Sequence, residues 1–233
     1  MAVWSEISGM LRDEIAGGAY PPGARLPTEA VLAQRFGVNR HTVRRALADL
    51  AGQGLVHARR GAGVFVTARP TVYPLGRRVR FHQIIAAEGR TPSRQIRSVD
   101  TRPATAAEAL GLGLAAGSQV HVVEGVSLAD GQPLAAFRSV FPAARFPDLP
   151  AAIRSHGSIT EALRACGLPD YTRAETRLTA QSAPAVLALA LQVAEGSAVL
   201  RSVAVNVDAG VVPVEHGTTW FAGERVTLTV SPD

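Results

Sequence analysis

Apolar residues recur every fourth position at Ile7, Leu11 and Ile15, so residues 4–17 are predicted to form a helix with one buried face, stopped by Gly17 and Gly18. The run YPPGARLP (20–27) is expected to be a loop, since its prolines and glycine interrupt any period. Thr28 has the chemistry of an N-cap for a short helix through Phe36, and Gly37 suits a left-handed cap after it. Asn39 can cap a further helix from Arg40 to about Gln53, which leaves a connection of about three residues, the length of a helix-turn-helix. Two β-rich runs follow, LVHAR and GVFVT, joined by RGAG, whose glycines permit the turn of a tight hairpin. Three helices followed by a small hairpin make a winged helix.

From Ala68 the pattern lapses, so we expect a winged-helix domain over 1–68, a linker over 69–80 and a second domain over 81–233. In the second, FHQIIAAEG reads as a helix and 93–102 as a strand. Thr105 and Glu108 stand in capping-box spacing at the head of a short helix, as do Ser158 and Glu161. Between them lie two strands about an Asp-Gly turn at Asp130 and Gly131. A strand at 171–181, a helix at 184–191 and strands near 197–208, 211–221 and 225–230 complete the chain. Hairpin-joined strands with helices between them predict an α+β domain on an antiparallel sheet. No internal repeat and no low-complexity tract is evident.

Charge divides the chain in the same place. All 24 basic residues are arginine; 12 of them face only five acids in residues 1–80, whereas 81–233 hold 12 against 14. A basic first third implies a polyanionic partner for that module. On the helix VNRHTVRRALADL, Arg40, His41, Arg44 and Arg45 fall on one face and Val43, Ala46, Leu47 and Leu50 on the other. An outward guanidinium row on a second helix can enter a major groove and read guanine or clamp phosphates. Arg35, Arg59 and Arg60 are placed for flanking phosphate contacts. A solvated charged face is the plain alternative for the helix alone; the basic glycine hairpin after it favours double-stranded DNA.

Other classes find little support. No apolar run is long enough to span a membrane, and the acidic residues near the start do not suit a signal peptide, which points to the cytoplasm. A lone cysteine, Cys166, and six dispersed histidines give no metal-ligand spacing, and no nucleophile motif appears, so neither metal, cofactor nor catalytic group is expected.

The segment LPTEAVLAQRFGVNRHTVRRALADLAGQGLVHARRGAGVFV resembles the winged helix of GntR-type bacterial regulators over about residues 5–67. The resemblance implies that Arg40, Thr42, Arg44, Arg45, Arg60, Gly61 and Gly63 meet DNA, and Thr28 and His41 complete the candidate set. Ala30 and Asn39 depart from the family pattern, which has an arginine and a serine or threonine there. The pieces RFHQIIAAEGRTP, LADGQPLAAFRSVFP, GSITEAL and VPVEHGTTWFAGERVTL are similar, more loosely, to the effector domain of the HutC branch, whose fold is chorismate-lyase-like. That likeness makes Arg80, Phe81, His82, Arg138, Ser158, Thr160, Glu215 and Phe221 the candidate effector residues. Ser158 either caps its helix alone or also contacts the ligand, and Arg138 either meets an anion or pairs with Glu124 or Glu175. Many relatives place arginines at Gly125 and Ser127, a tyrosine at Thr160 and at Phe221, and an arginine at Ala222. The implied protein is a dimeric repressor released from its operator by a small anionic metabolite. The rival readings are an enzyme of lyase-like fold tethered to nucleic acid, and a sequence-tolerant DNA-packaging protein.

Overall fold

A computed structural model describes residues 2–59, 61–67, 70–78 and 81–230. The chain divides into two compact units, 1–69 and 70–233. In the first, α1 (Val3–Ala16), α2 (Glu29–Phe36) and α3 (Arg40–Gly52) enclose a core of Ile7, Leu11, Leu32, Val43, Leu47 and Leu50. Local chemistry sets the helix ends. Thr28 Oγ1 accepts from the Val31 N–H, Asn39 Oδ1 accepts from the Thr42 N–H at 2.8 Å, and Gly37 takes the left-handed conformation at φ 66°.

The hairpin is β1 (Val56–Arg59) with β2 (Gly63–Val66). The expected loop 20–27 is partly ordered as a third edge: the Leu26 N–H donates to the Val64 carbonyl and the Val66 N–H to that of Ala24, which sets Arg25 opposite Phe65. Leu26 is buried as the anchor of this segment, a role that its proline-rich setting hid.

The second unit opens with β3 (Thr71–Pro74), inside the segment expected to be a linker. After it come α4 (Phe81–Ala87), β4 (Pro92–Pro103), α5 (Ala106–Leu112), β5 (Gln119–Ala129) and β6 (Gln132–Pro142). Then follow α6 (Leu149–His156), which the apolar spacing did not suggest, α7 (Ile159–Ala165), β7 (Thr172–Ser182), α8 (Ala185–Leu191), β8 (Ala198–Val207), β9 (Pro213–Ala222) and β10 (Val226–Thr229). Six strands form an antiparallel sheet in the order β4-β5-β6-β9-β8-β7, and β3 pairs in parallel with β10.

That strand order is a duplication, and it corrects the expectation of no repeat. An αβαββ unit (α4–β6) recurs as α7–β9, with equivalent positions 79 or 80 residues apart. Val120 pairs with Pro142 in one half and Val199 with Ala222 in the other. At the central seam Arg138 faces Thr218, the equivalent positions themselves, so an approximate two-fold axis passes between β6 and β9 there. The local devices repeat as well: α5 and α8 both end on a left-handed residue, Gly113 and Gln192.

The two faces of the sheet have different covers. Ala136, Val140, Val199 and Ala222 pack under α5 and α8. Successive side chains alternate across a strand, so Phe137, Ser139, Glu215 and Thr219 look the other way, towards α4 and α7.

Candidate nucleic-acid interface and ligand cavity

On α3 the apolar positions are buried, and Arg40, His41, Arg44 and Arg45 are exposed, as the period requires. The outward guanidinium row expected from the sequence is, however, partly answered within the fold. Arg44 makes a bidentate pair with Glu29, Nε to Oε1 at 3.0 Å and Nη2 to Oε2 at 2.7 Å, and its hydrogen bonds hold the Glu29 carboxyl below its ordinary pKa. Arg45 lies over the Trp4 ring, 4.7 Å from its centroid. Arg35 is tied to Glu14 on α1 and donates to the Tyr20 hydroxyl at 3.3 Å, so it braces the helices of this unit rather than standing free for phosphate. The Thr42 hydroxyl donates to Asn39 Oδ1 at 3.0 Å, and Thr28 is engaged as a cap.

A concavity of about 350 Å³ connects this helix to the hairpin, lined among others by Arg25, Thr28, Glu29, Arg40, Arg44 and Gly63. Arg25 was not a candidate from sequence. Gly63 has φ +114°, and a Cβ there would stand 2.8 Å from Arg25 Nε, so the glycine both permits the backbone and leaves room for the guanidinium. Gly61, at φ 74°, serves the hairpin turn. Arg60 lies outside the described residues, and for Arg59 only the backbone is described.

The second unit holds a cavity of about 430 Å³ between the sheet and helices α4 and α7. Of the expected effector residues, Phe81, His82, Ser158, Thr160 and Glu215 line it. Ser158 Oγ accepts from the Glu161 N–H at 3.4 Å; among the described bonds the reciprocal half of that capping box is absent, and Glu161 lines the cavity instead. Thr160 Oγ1 lies 3.5 Å from the Tyr171 hydroxyl. Burial, followed by the charge of Arg94, keeps His82 below its usual pKa, so it is neutral at pH 7. Glu215 is buried and accepts from Asn206 Nδ2 at 2.6 Å.

Two expected residues are elsewhere. Arg138 is on the α5/α8 face of β6, 46% exposed, paired with Glu124 at 2.5 Å and set near Trp220. The strand is apolar on both faces, so its composition gave no cue to direction. Phe221 stands behind the cavity wall, its ring 5.1 Å from that of Tyr73, which together with Phe81 lines the space. Arg80 lies outside the described residues.

Two residues missed in the sequence dominate the site. Arg94 on β4 extends over the Phe137 ring, 4.7 Å from its centroid, and burial lowers the pKa of its guanidinium. Arg173 comes from β7 at the far edge of the sheet. The Nε atoms of both are shut from solvent and have no hydrogen-bond acceptor among the described residues. With Arg77 and Arg164 they set four guanidinium groups against Glu161 and Glu215 on the cavity wall. Gly125 is closely covered: a Cβ there would fall 2.2 Å from the Gln95 carbonyl oxygen and 2.8 Å from the Phe137 ring. An arginine is thus excluded at Gly125 itself, and the charge arrives from the neighbouring strand.

Residues 4–66 match the family described as bacterial regulatory proteins, gntR family, and residues 87–227 match the UTRA domain. The chain is 37% identical over 231 residues to the uncharacterized HTH-type transcriptional regulator RB1450 of Rhizobium meliloti, covering 99% of this chain and 95% of that protein. It is 31% identical over 234 residues to the probable transcriptional regulator PhnF of Escherichia coli, covering 97% and 94%. Among solved structures it is similar to PhnF from Mycobacterium smegmatis, with a TM-score of 0.66, 25% identity and coverage of 100% and 99%.

Proposed function

The chain belongs to the gntR family of bacterial regulatory proteins, its winged helix followed by a UTRA domain, and from that premise we propose that it is a cytoplasmic, homodimeric repressor of the HutC branch released from DNA by a small anionic metabolite. Relatives at this similarity are transcriptional regulators, not enzymes. The observation that carries the anionic ligand is the cavity wall, where four arginines meet two carboxylates and two buried Nε atoms lack an acceptor. A buried guanidinium without a partner is costly, and an entering anion removes that cost.

At the DNA end, Arg40, His41 and Thr42 at the start of α3 are our candidates for base reading. Arg44, Arg45, Arg25 and the hairpin from Arg59 to Gly63 are those for phosphate contact. A recognition helix reads only a few base pairs, so two copies on a two-fold operator supply the rest. Ligand and operator then oppose each other through linked equilibria, each weakening the other by the same factor.

The experiment is a gel-shift titration of the full chain on the DNA upstream of its own gene, with and without small phosphates and carboxylates. We expect a specific complex that random DNA does not displace at equal concentration, and its release by at least one anion. Equal competition by random DNA would rule out an operator-specific regulator.

A further inference from the structure

If the cavity takes an anion, as proposed above, the placement of its arginines also bears on the shape of that anion. Arg94 and Arg173 are counterparts in the duplication: Arg94 pairs with Ser127 across β4 and β5, and Arg173 with Asn206 across β7 and β8, each 79 positions on. They leave opposite edges of the sheet, on the same face, and line one cavity. Each presents a buried Nε that no described residue satisfies. Their strands are the two edges of the six-stranded sheet with four strands between them, so the two side chains approach the cavity from opposite sides. We propose that the ligand is a short molecule with an acid group at each end, one held by Arg94 and the other by Arg173, as in an α,ω-dicarboxylate.

Charge and shape support two acid groups. Arg77, Arg94, Arg164 and Arg173 exceed Glu161 and Glu215 by two positive charges, which a dianion balances, and His82 is neutral. Glu215 stays where it is, fixed by Asn206, and can accept from a donor on the ligand without displacing an arginine. The floor between the two ends is formed by Phe137, Ser139 and Thr219, a ring face and two hydroxyls, which suits a short backbone with a polar substituent. The ends differ: Arg94 lies over the Phe137 ring, whereas no aromatic partner is described for Arg173, so the two acid groups meet unequal surroundings and the ligand has one orientation.

The test is calorimetric titration of the full chain with succinate, glutarate, adipate and pimelate, alongside the monocarboxylates of equal length and inorganic phosphate. One dicarboxylate is expected to bind at least tenfold tighter than its monocarboxylate. Arg94→Gln and Arg173→Gln should each reduce that dicarboxylate to the affinity of the monocarboxylate, in variants whose circular dichroism shows the parent fold. Equal binding of mono- and dicarboxylates, or phosphate binding tighter than all of them through one arginine alone, overturns the two-ended ligand while leaving an anion-responsive regulator in place. No heat with any of these anions, in a chain that still binds its operator, overturns both.

Discussion

The arginines around α3 and those of the ligand cavity are placed in opposite ways. Around α3 three exposed guanidinium groups have an answer within the fold: Glu29 for Arg44, Glu14 for Arg35 and the Trp4 ring for Arg45. Such exposed pairs contribute about 0–1 kcal/mol and are readily exchanged for a phosphate oxygen. In the cavity of the UTRA domain Arg94 has the Phe137 ring beneath it, yet the Nε atoms of Arg94 and Arg173 are shut from solvent with no acceptor among the described residues. There the cost of desolvation is met only by something that enters. A polyanion that rolls over a surface needs prepositioned, exchangeable charge; a small ligand that must be recognised needs charge that nothing else can satisfy.

The strongest way to disturb this contrast is to crowd β5, between the strand of Arg94 and that of Phe137. Gly125→Val sets a branched side chain against the Gln95 carbonyl and the Phe137 ring, and we expect a loss of about 3 kcal/mol in the unfolding of the second unit, read by calorimetry. Unchanged stability would mean that the sheet shifts freely there, and with it the perch of Arg94. On the DNA side, Arg40→Ala is expected to cost about 1–3 kcal/mol of operator affinity and to relax preference at one base, while anion binding stays as it was. A footprint identical to that of the parent chain would put another face of the unit on DNA.

An internal pair between these extremes tests how much a satisfied arginine contributes to folding. Arg102 donates twice to Glu108, at 2.7 and 2.8 Å, and together with the Thr105 backbone draws that carboxyl down to about 2. A carboxylate with a depressed folded pKa stabilises above its unfolded value near 4.3 and ceases to do so as pH falls through the folded value. Stability should therefore decline between about pH 4.5 and 2, by about 1–2 kcal/mol once screening at the half-exposed Arg102 side is allowed for, and Glu108→Gln should remove that part of the decline. The smallest effect is expected from Glu29→Gln. Freeing Arg44 should tighten operator binding slightly and steepen its salt dependence. Weaker binding would show that Glu29 positions Arg44 rather than competing for it.

How much of this could be read beforehand depends on the range of each interaction. The caps at Thr28, Asn39, Thr105 and Ser158 and the turn at Asp130 and Gly131 were legible, because each is settled by side chains within four residues. So was α3, whose two faces differ in kind. The pairing of Thr71–Pro74 with Val226–Thr229 was not, since neither run is long and their partner lies at the other end of the chain. The duplication left only a faint trace, AAGSQV against AEGSAV after the equivalent helices. Arg94 and Arg173 look in sequence like the charges that protect any edge strand from pairing. Only the folded sheet turns them over one space. Arg138, alone in an apolar strand, looked the better candidate for the reason that misled: both neighbours of β6 are buried, so polarity along it does not report direction.

The parallel pairing of β3 with β10 fastens the first residues of the second unit to its last strand. A chain cut short before Val226 would lose this clasp together with the buried Val226 and the seat of Tyr73, whose ring packs beside Phe81 and Phe221, so the ligand site would loosen through a strand that does not line it.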